Sequence, residues 1–149
     1  MSQILQDLQG PLSLLGRIML CTIFLSAAVA NKIPQFSAVV KSMEKEGVPA
    51  PEVMLSAAIA FLILGSLSVI LGFQARIGAG LLFVFLVLAT YFYHDFWNMP
   101  PAYFENQVAH SLKNLGLGGA MLFIVANGPG AWSLDNRFKV KPLPTPQPT

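Results

Sequence analysis

The chain has 149 residues, of which 54% are hydrophobic and only 11% charged, with a formal net charge of +2. An average soluble domain carries roughly 25% charged residues, so this composition excludes an aqueous globular fold and makes lipid the surrounding medium. No basic run could follow a phosphate backbone, which excludes nucleic acid as a partner. The lone cysteine, Cys21, excludes an intrachain disulfide or a CxxC redox pair, so any electron transfer would need a bound cofactor or a partner protein.

Four apolar blocks fill most of the chain: Leu12 to Ala30, Val53 to Phe73, Ile77 to Phe92 and Leu115 to Val125. A helix needs about 20 residues to cross the hydrocarbon core, and the first three blocks reach that length with their flanks. The fourth reaches it only if its helix starts earlier and takes in Gln107, His110, Lys113 and Asn114. The expected fold is all-α, a four-helix transmembrane bundle with an amphipathic interfacial helix between the first and second spans. Residues 1–136 form one membrane domain with spans about 12–30, 52–72, 77–96 and 105–126, and residues 137–149 form an extended proline-rich tail.

Met1 to Gly10 mixes polar and apolar residues, and Pro11 suits the first turn of the first span. Ala28-Val29-Ala30 resembles a signal-peptidase site, but Asp7 and the lack of Lys or Arg before Arg17 favour a retained helix. Between Asn31 and Pro51, Ile33, Phe36, Val39, Val40 and Met43 recur at helical spacing opposite Lys41, Glu44, Lys45 and Glu46, the pattern of a helix lying at the membrane surface. Gly47 to Pro51 ends it, and Glu52 sits in the first turn of the second span, where a carboxylate complements the helix dipole.

The second span ends near Leu71-Gly72, and Phe73 to Arg76 is so short that the second and third spans form an antiparallel hairpin. The third span runs into an aromatic belt of Tyr91, Phe92, Tyr93, Phe96 and Trp97, which suits the head-group boundary. In the fourth span Gly116, Gly118, Gly119 and Ala120 thin one side and would let a neighbouring helix approach. Asn127 to Gly130 stops it. Arg76, Arg137, Lys139 and Lys141 share one side of the membrane, with Arg17 near it, which weakly favours cytoplasmic termini.

This threading brings four helix ends to one side, so their polar residues can meet: Asn31 and Lys32, Glu52 and Ser56, His94 and Asp95, and Asn106, Gln107, His110, Lys113 and Asn114. The last group stands three and four apart, a stripe along one helix face. A charge at membrane depth costs at least about 2.5 kcal/mol, so the stripe should face protein, water or a ligand. Lys32, His94, Asp95, Gln107, His110, Lys113 and Asn114 are therefore the candidate ligand-binding set, for the polar head of a quinone or lipid. The structural alternative is that they tie helix ends together, for example through Lys113 with Asp95 or Glu52. His94, Asp95, Glu105 and His110 do not have metal-ligand spacing, since Gln107-x-x-His110 lacks the carboxylate of the di-iron element. Arg17 reads as a snorkelling residue and Arg76 as a positive-inside anchor. Ser66 and Ser68 can bond to their own helix backbone, and Cys21 reads as a small packing residue.

Leu15-Gly16-Arg17, Asn31-Lys32, Gly47-Val48-Pro49-Ala50-Pro51, Phe92-Tyr93-His94-Asp95-Phe96-Trp97, Gln107 with Lys113-Asn114-Leu115, and Gly128-Pro129-Gly130 with Ser133-Leu134-Asp135 occur in an order that resembles the DoxX family of small bacterial membrane proteins. The resemblance runs from about Leu12 to Asp135. It implies a four-helix bundle of the bacterial inner membrane and an association with redox enzymes, as an accessory or subunit of a membrane complex with membrane or redox protein partners. Family members commonly have an arginine after Gly-Pro-Gly. Ala131-Trp132 stand there in this chain, so the anion contact of that arginine is not carried over. The competing reading is a structural scaffold without a small-molecule site, attached through the thin glycine face. A transporter is disfavoured, because no span before the last has the central break that builds a midplane site.

Overall fold

Lipid offers no partner to backbone N–H and C=O groups, so an apolar run must satisfy them internally, and each run here is helical. The computed structural model describes residues 2–93 and 101–138. In chain order they form α1 (Ser2–Ser26), a π-helical turn (Ala27–Lys32), α2 (Phe36–Lys45), α3 (Pro51–Leu71), α4 (Ala75–Tyr93), α5 (Pro101–Asn127) and the short α6 (Leu134–Arg137). Four stretches are long and apolar enough to cross a membrane: Gln6–Lys32, Pro51–Leu71, Ala75–Tyr93 and Phe104–Asn127. The expected continuation of the third span to residue 96, with Phe96 and Trp97 of the aromatic belt, and the proline-rich tail lie outside the described residues.

The axis of the bundle is the α3–α4 hairpin. Gly72 adopts φ 64°, the left-handed conformation that ends a helix without a Cβ penalty. The amide of Phe73 donates to Ser68 O at 3.0 Å, and the Ser68 hydroxyl donates to Phe73 O at 2.7 Å, which tightens the reversal. The expectation that Ser68 bonds within its own helix is thus corrected, because its acceptors lie in the turn. The two helices touch at Gly65 and Gly78: a Cβ added at Gly65 would stand 3.0 Å from Gly78 O, and one added at Gly78 would stand 2.9 Å from Gly65 O. Helix α1 packs on α3 and α5 packs on α4. Their side chains share one core: Cys21 and Phe24 from α1, Leu62 and Val69 from α3, Leu82 and Leu86 from α4, and Met121 and Ile124 from α5. In α2, Val40 and Met43 are buried with Val48 and Leu55, and Phe36, Val39, Phe92 and Tyr93 pack around them. The apolar stripe of α2 therefore meets protein, while Ile33 before it stays exposed.

Three further expectations are corrected. Pro11 does not start the first span but lies inside α1, nine residues beyond its first residue, Ser2. Proline in a helix interior forgoes a hydrogen bond, and tertiary contacts hold this stretch: the indole of Trp132 covers Gly10, leaving no room for a Cβ, and Ser13 Oγ donates to Pro129 O at 2.8 Å. The glycine face of α5 is not where the closest helix approach occurs. Gly118 faces Phe83, but a Cβ at Gly116 or Gly119 would meet nothing within 4 Å.

The third correction concerns Arg17, which does not snorkel: it is 3% exposed. A guanidinium has five N–H donors, and Arg17 directs them at backbone carbonyls. Nε donates to Ser13 O at 3.2 Å. Nη1 donates to Ile70 O at 3.0 Å and Val69 O at 3.3 Å, and Nη2 to Trp132 O at 2.7 Å and Ala131 O at 3.4 Å. Ile70 and Val69 belong to the last turn of α3, whose carbonyls carry the negative end of the dipole; the Gly72 amide also reaches Val69 O at 3.2 Å. On the neighbouring helix the polarity reverses. Asp135 accepts from the amides of Gln74 at 2.8 Å and Ala75 at 3.1 Å, capping the start of α4, while its own amide donates to Gly72 O at 2.7 Å. Ser133, also buried, accepts from Asn136 N at 3.4 Å and donates to Gly130 O at 2.8 Å, which shapes the loop that carries these carbonyls.

Replacing Arg17 leaves its acceptors in a place water reaches poorly, and hydrogen bonds to a charged group are worth about 1.5–3 kcal/mol each. Arg17→Ala should therefore lower stability in detergent by about 3 kcal/mol or more, with Arg17→Lys intermediate because a point charge reaches fewer carbonyls. Reversible denaturation in mixed micelles measures this, and equal midpoints for wild type and Arg17→Ala would refute it. Gly65→Ala and Gly78→Ala should each destabilise by about 1–3 kcal/mol through overpacking against backbone. Gly80→Ala, whose Cβ meets nothing within 4 Å, should be neutral in the same assay.

Candidate functional site

The described polar residues of the candidate set lie at the opposite end of the bundle from Arg17. Helix α1 does not stop at Ser26 but widens into the π-helical turn Ala27–Lys32, closed by the amide of Ile33 on Ala28 O at 2.9 Å. π turns are rare and recur at functional sites, because the extra residue rotates the downstream side chains relative to the α-helical face. The turn ends on Lys32, whose Nζ lies 5.6 Å from the centroid of the Phe85 ring on α4. Lys32 is half-buried, and among the described residues no carboxylate pairs with it. A ring face attracts an ammonium but takes none of its N–H donors through an oxygen or nitrogen lone pair.

On α5 the predicted stripe divides. Asn114 is buried and donates to Thr90 Oγ1 on α4 at 3.0 Å, so it joins helices. Lys113 is exposed, with Nζ 3.3 Å from Nδ1 of half-buried His110 one turn earlier. An ammonium can only donate, so this geometry makes Nδ1 the acceptor and leaves the proton of the neutral ring on Nε2, directed away from Lys113. Gln107 is half-buried one turn further out. Lys32 and Asn114 thus reach the same helix, at Phe85 and at Thr90. His94 and Asp95, the two remaining members of the set, lie outside the described residues. Among the described residues, no three His, Cys, Asp or Glu side chains come together in a way that could hold a metal.

Sequence reasoning missed Phe85 and Thr90, which look like ordinary lining of a hydrophobic helix until the fold sets Lys32 and Asn114 against them. It also missed Asp135 as the cap of α4, because the pairing spans 60 and 61 positions in sequence. The one local signal is that Ser133-Leu134-Asp135 comes after Gly128-Pro129-Gly130, a helix stop succeeded at once by capping residues.

Comparison with known proteins accords with this architecture. The family model described as DoxX matches residues 12–95. The chain is 32% identical over 127 residues to inner membrane protein YphA of Escherichia coli (strain K12), covering 85% of this chain and 89% of that protein. It is 30% identical over 128 residues to inner membrane protein YqjF of the same organism, covering 86% and 92%. A shorter likeness, 30% over 74 residues, links it to the Surfeit locus protein 4 homolog of Schizosaccharomyces pombe, covering 48% of this chain and 24% of that protein. No solved structure matches. With the family model matching more than half of the chain and two relatives aligned over most of their length, this integral membrane protein belongs to the DoxX family.

Proposed function

We propose that the chain is an accessory subunit of a redox-linked complex in the bacterial inner membrane, with both termini cytoplasmic, and that it holds the polar head of a quinone or lipid at the Lys32 end of the bundle. The redox link and the localisation rest on the family. The head-group site rests on one observation: an ammonium at the last residue of a membrane-capable helix, at the end of a π turn, has an aromatic face beside it and no described carboxylate. Such a group is a functional candidate by default. A quinone carbonyl or a lipid phosphate accepts hydrogen bonds, and Lys32 Nζ and Lys113 Nζ supply donors, with the His110 ring beside Lys113. The aliphatic sides of α4 and α5 would hold the tail.

The test is a titration of purified protein with decylubiquinone. Lys32→Met, His110→Ala and Lys113→Met should each weaken binding by about tenfold, the worth of one charge-assisted hydrogen bond. For the Lys32 and Lys113 variants thermal midpoints should stay near wild type, since neither ammonium joins a described helix pair by a hydrogen bond. No binding by wild type, or equal binding by all variants, would remove the small-molecule reading.

A scaffold without a small-molecule site is favoured by a different observation. Gly116 and Gly119 are open on the outer side of α5, beside exposed Leu112, Leu115 and Phe123, and a small-residue strip lets another membrane helix approach closely. If this face is the attachment surface, Gly116→Leu with Gly119→Leu should shift the protein on native gels from a larger assembly to a lone species. An unchanged migration would eliminate that surface.

A further inference from the structure

Beside the Arg17 network, a groove of ≈ 340 Å³ opens between the start of α4 and the loop after α5. Its volume lies at the low end of the range typical of small-ligand sites, about 300–1,000 Å³. Arg76 provides one wall, Asn127 and the loop from Gly128 to Gly130 provide another, and Asp135 and Asn136 of α6 complete the lining, so one carboxylate faces the groove beside the guanidinium. The Arg76 guanidinium lies over Gly128, where a Cβ would be 3.7 Å from Nε and 3.8 Å from Nη2, so no side chain separates the cation from the loop. The neighbouring polar groups already have tasks. Asn136 Nδ2 donates to Gly130 O at 2.8 Å, Asn127 Nδ2 donates to Phe123 O at 3.0 Å, and both oxygens of Asp135 accept from the α4 amides. Arg76 is exposed, and among the described residues no hydrogen bond or ion pair engages it. Arg17 and Arg76 thus divide the work at this end of the bundle: one guanidinium is saturated by carbonyls, the other faces a groove with its donors open.

We infer that this groove binds a phosphate group through Arg76, and that the phosphate is that of a phospholipid head group. The position argues for the lipid source. Arg76 is the second residue of a membrane-capable helix and Asn127 the last residue of another, so the groove lies where two spans emerge and where lipid phosphates are concentrated. The planar fork of arginine suits two phosphate oxygens at once. This site is distinct from the Lys32 end and does not depend on the quinone reading.

Delipidated protein in mild detergent, wild type and Arg76→Gln, is titrated with dioctanoyl phosphatidylglycerol and separately with sodium phosphate, and bound adducts are counted by native mass spectrometry. We expect wild type to bind one phosphatidylglycerol at least about tenfold more tightly than Arg76→Gln. Arg76→Lys should fall between them, since it keeps the charge and loses the fork. Phosphatidylglycerol binding that excess sodium phosphate does not displace supports the lipid source, whereas Arg76-dependent binding of phosphate alone overturns it. Equal lipid binding by wild type and Arg76→Gln, with equal thermal midpoints showing that both are folded, overturns the site itself.

Discussion

The fold depends on a cation held by carbonyl oxygens. Arg17 fills a position where α1, the end of α3 and the loop after α5 meet, and the helix end and the loop would otherwise turn carbonyls such as Ile70 O and Trp132 O toward a poorly hydrated space. A carboxylate partner would neutralise the charge but leave those carbonyls open. Here the reverse holds: the charge is spread over five dipoles, two of them at the negative end of a helix. The contacts bridge 52 to 115 positions of sequence, so one side chain fixes the relative placement of segments the chain does not connect locally. Asp135 completes the arrangement on the adjoining helix, with opposite charge at the opposite kind of helix end.

Polar closure matters more here than in a soluble bundle, because lipid tails are as apolar as leucine and no hydrophobic gain separates helix contact from lipid contact. What then decides association is close packing and hydrogen bonding. The structure has both: backbone contact at Gly65 and Gly78, the Arg17 and Asp135 networks, and the Asn114–Thr90 bond toward the other end. The same reasoning bears on exposed residues. Leu115 at 72% and Phe123 at 68% exposure would mark a sticky patch on a soluble protein, but on a membrane-capable helix they are the surface lipid requires.

Much of the architecture is legible from sequence because hydropathy acts over whole segments. The apolar blocks, the hairpin at Phe73 to Arg76, the break at Gly47 to Pro51 and the amphipathic stripe around Val40 and Met43 are all local patterns with local causes. Arg17 was not legible. Its position near a span end matches that of a snorkelling arginine, and its partners are carbonyls, which every residue has and no motif marks. Pro11 failed for a related reason: propensity ends helices at proline, whereas the packing of Trp132 on Gly10 and the Ser13 bond to Pro129 act from more than 100 residues away. At the candidate site the stripe on α5 was legible as a 3–4 spacing, but not that Asn114 would turn to Thr90 while Lys113 turned to His110.

The two ends of the bundle consequently differ in kind. At the Arg17 end the groups that hold Arg17 and Asp135 are engaged with one another, so that set cannot bind a ligand without unmaking the fold, while the exposed Arg76 beside it keeps donors open. At the Lys32 end the buried amide, Asn114, is likewise occupied by a helix contact, while the ammonium groups rest on a ring face and an imidazole nitrogen. Groups that hold helices together must have their partners inside the protein, and groups that recognise a ligand must not. On that criterion Arg17, Asp135 and Asn114 belong to the architecture, while Lys32, Lys113 and Arg76 keep capacity for something that is not this chain.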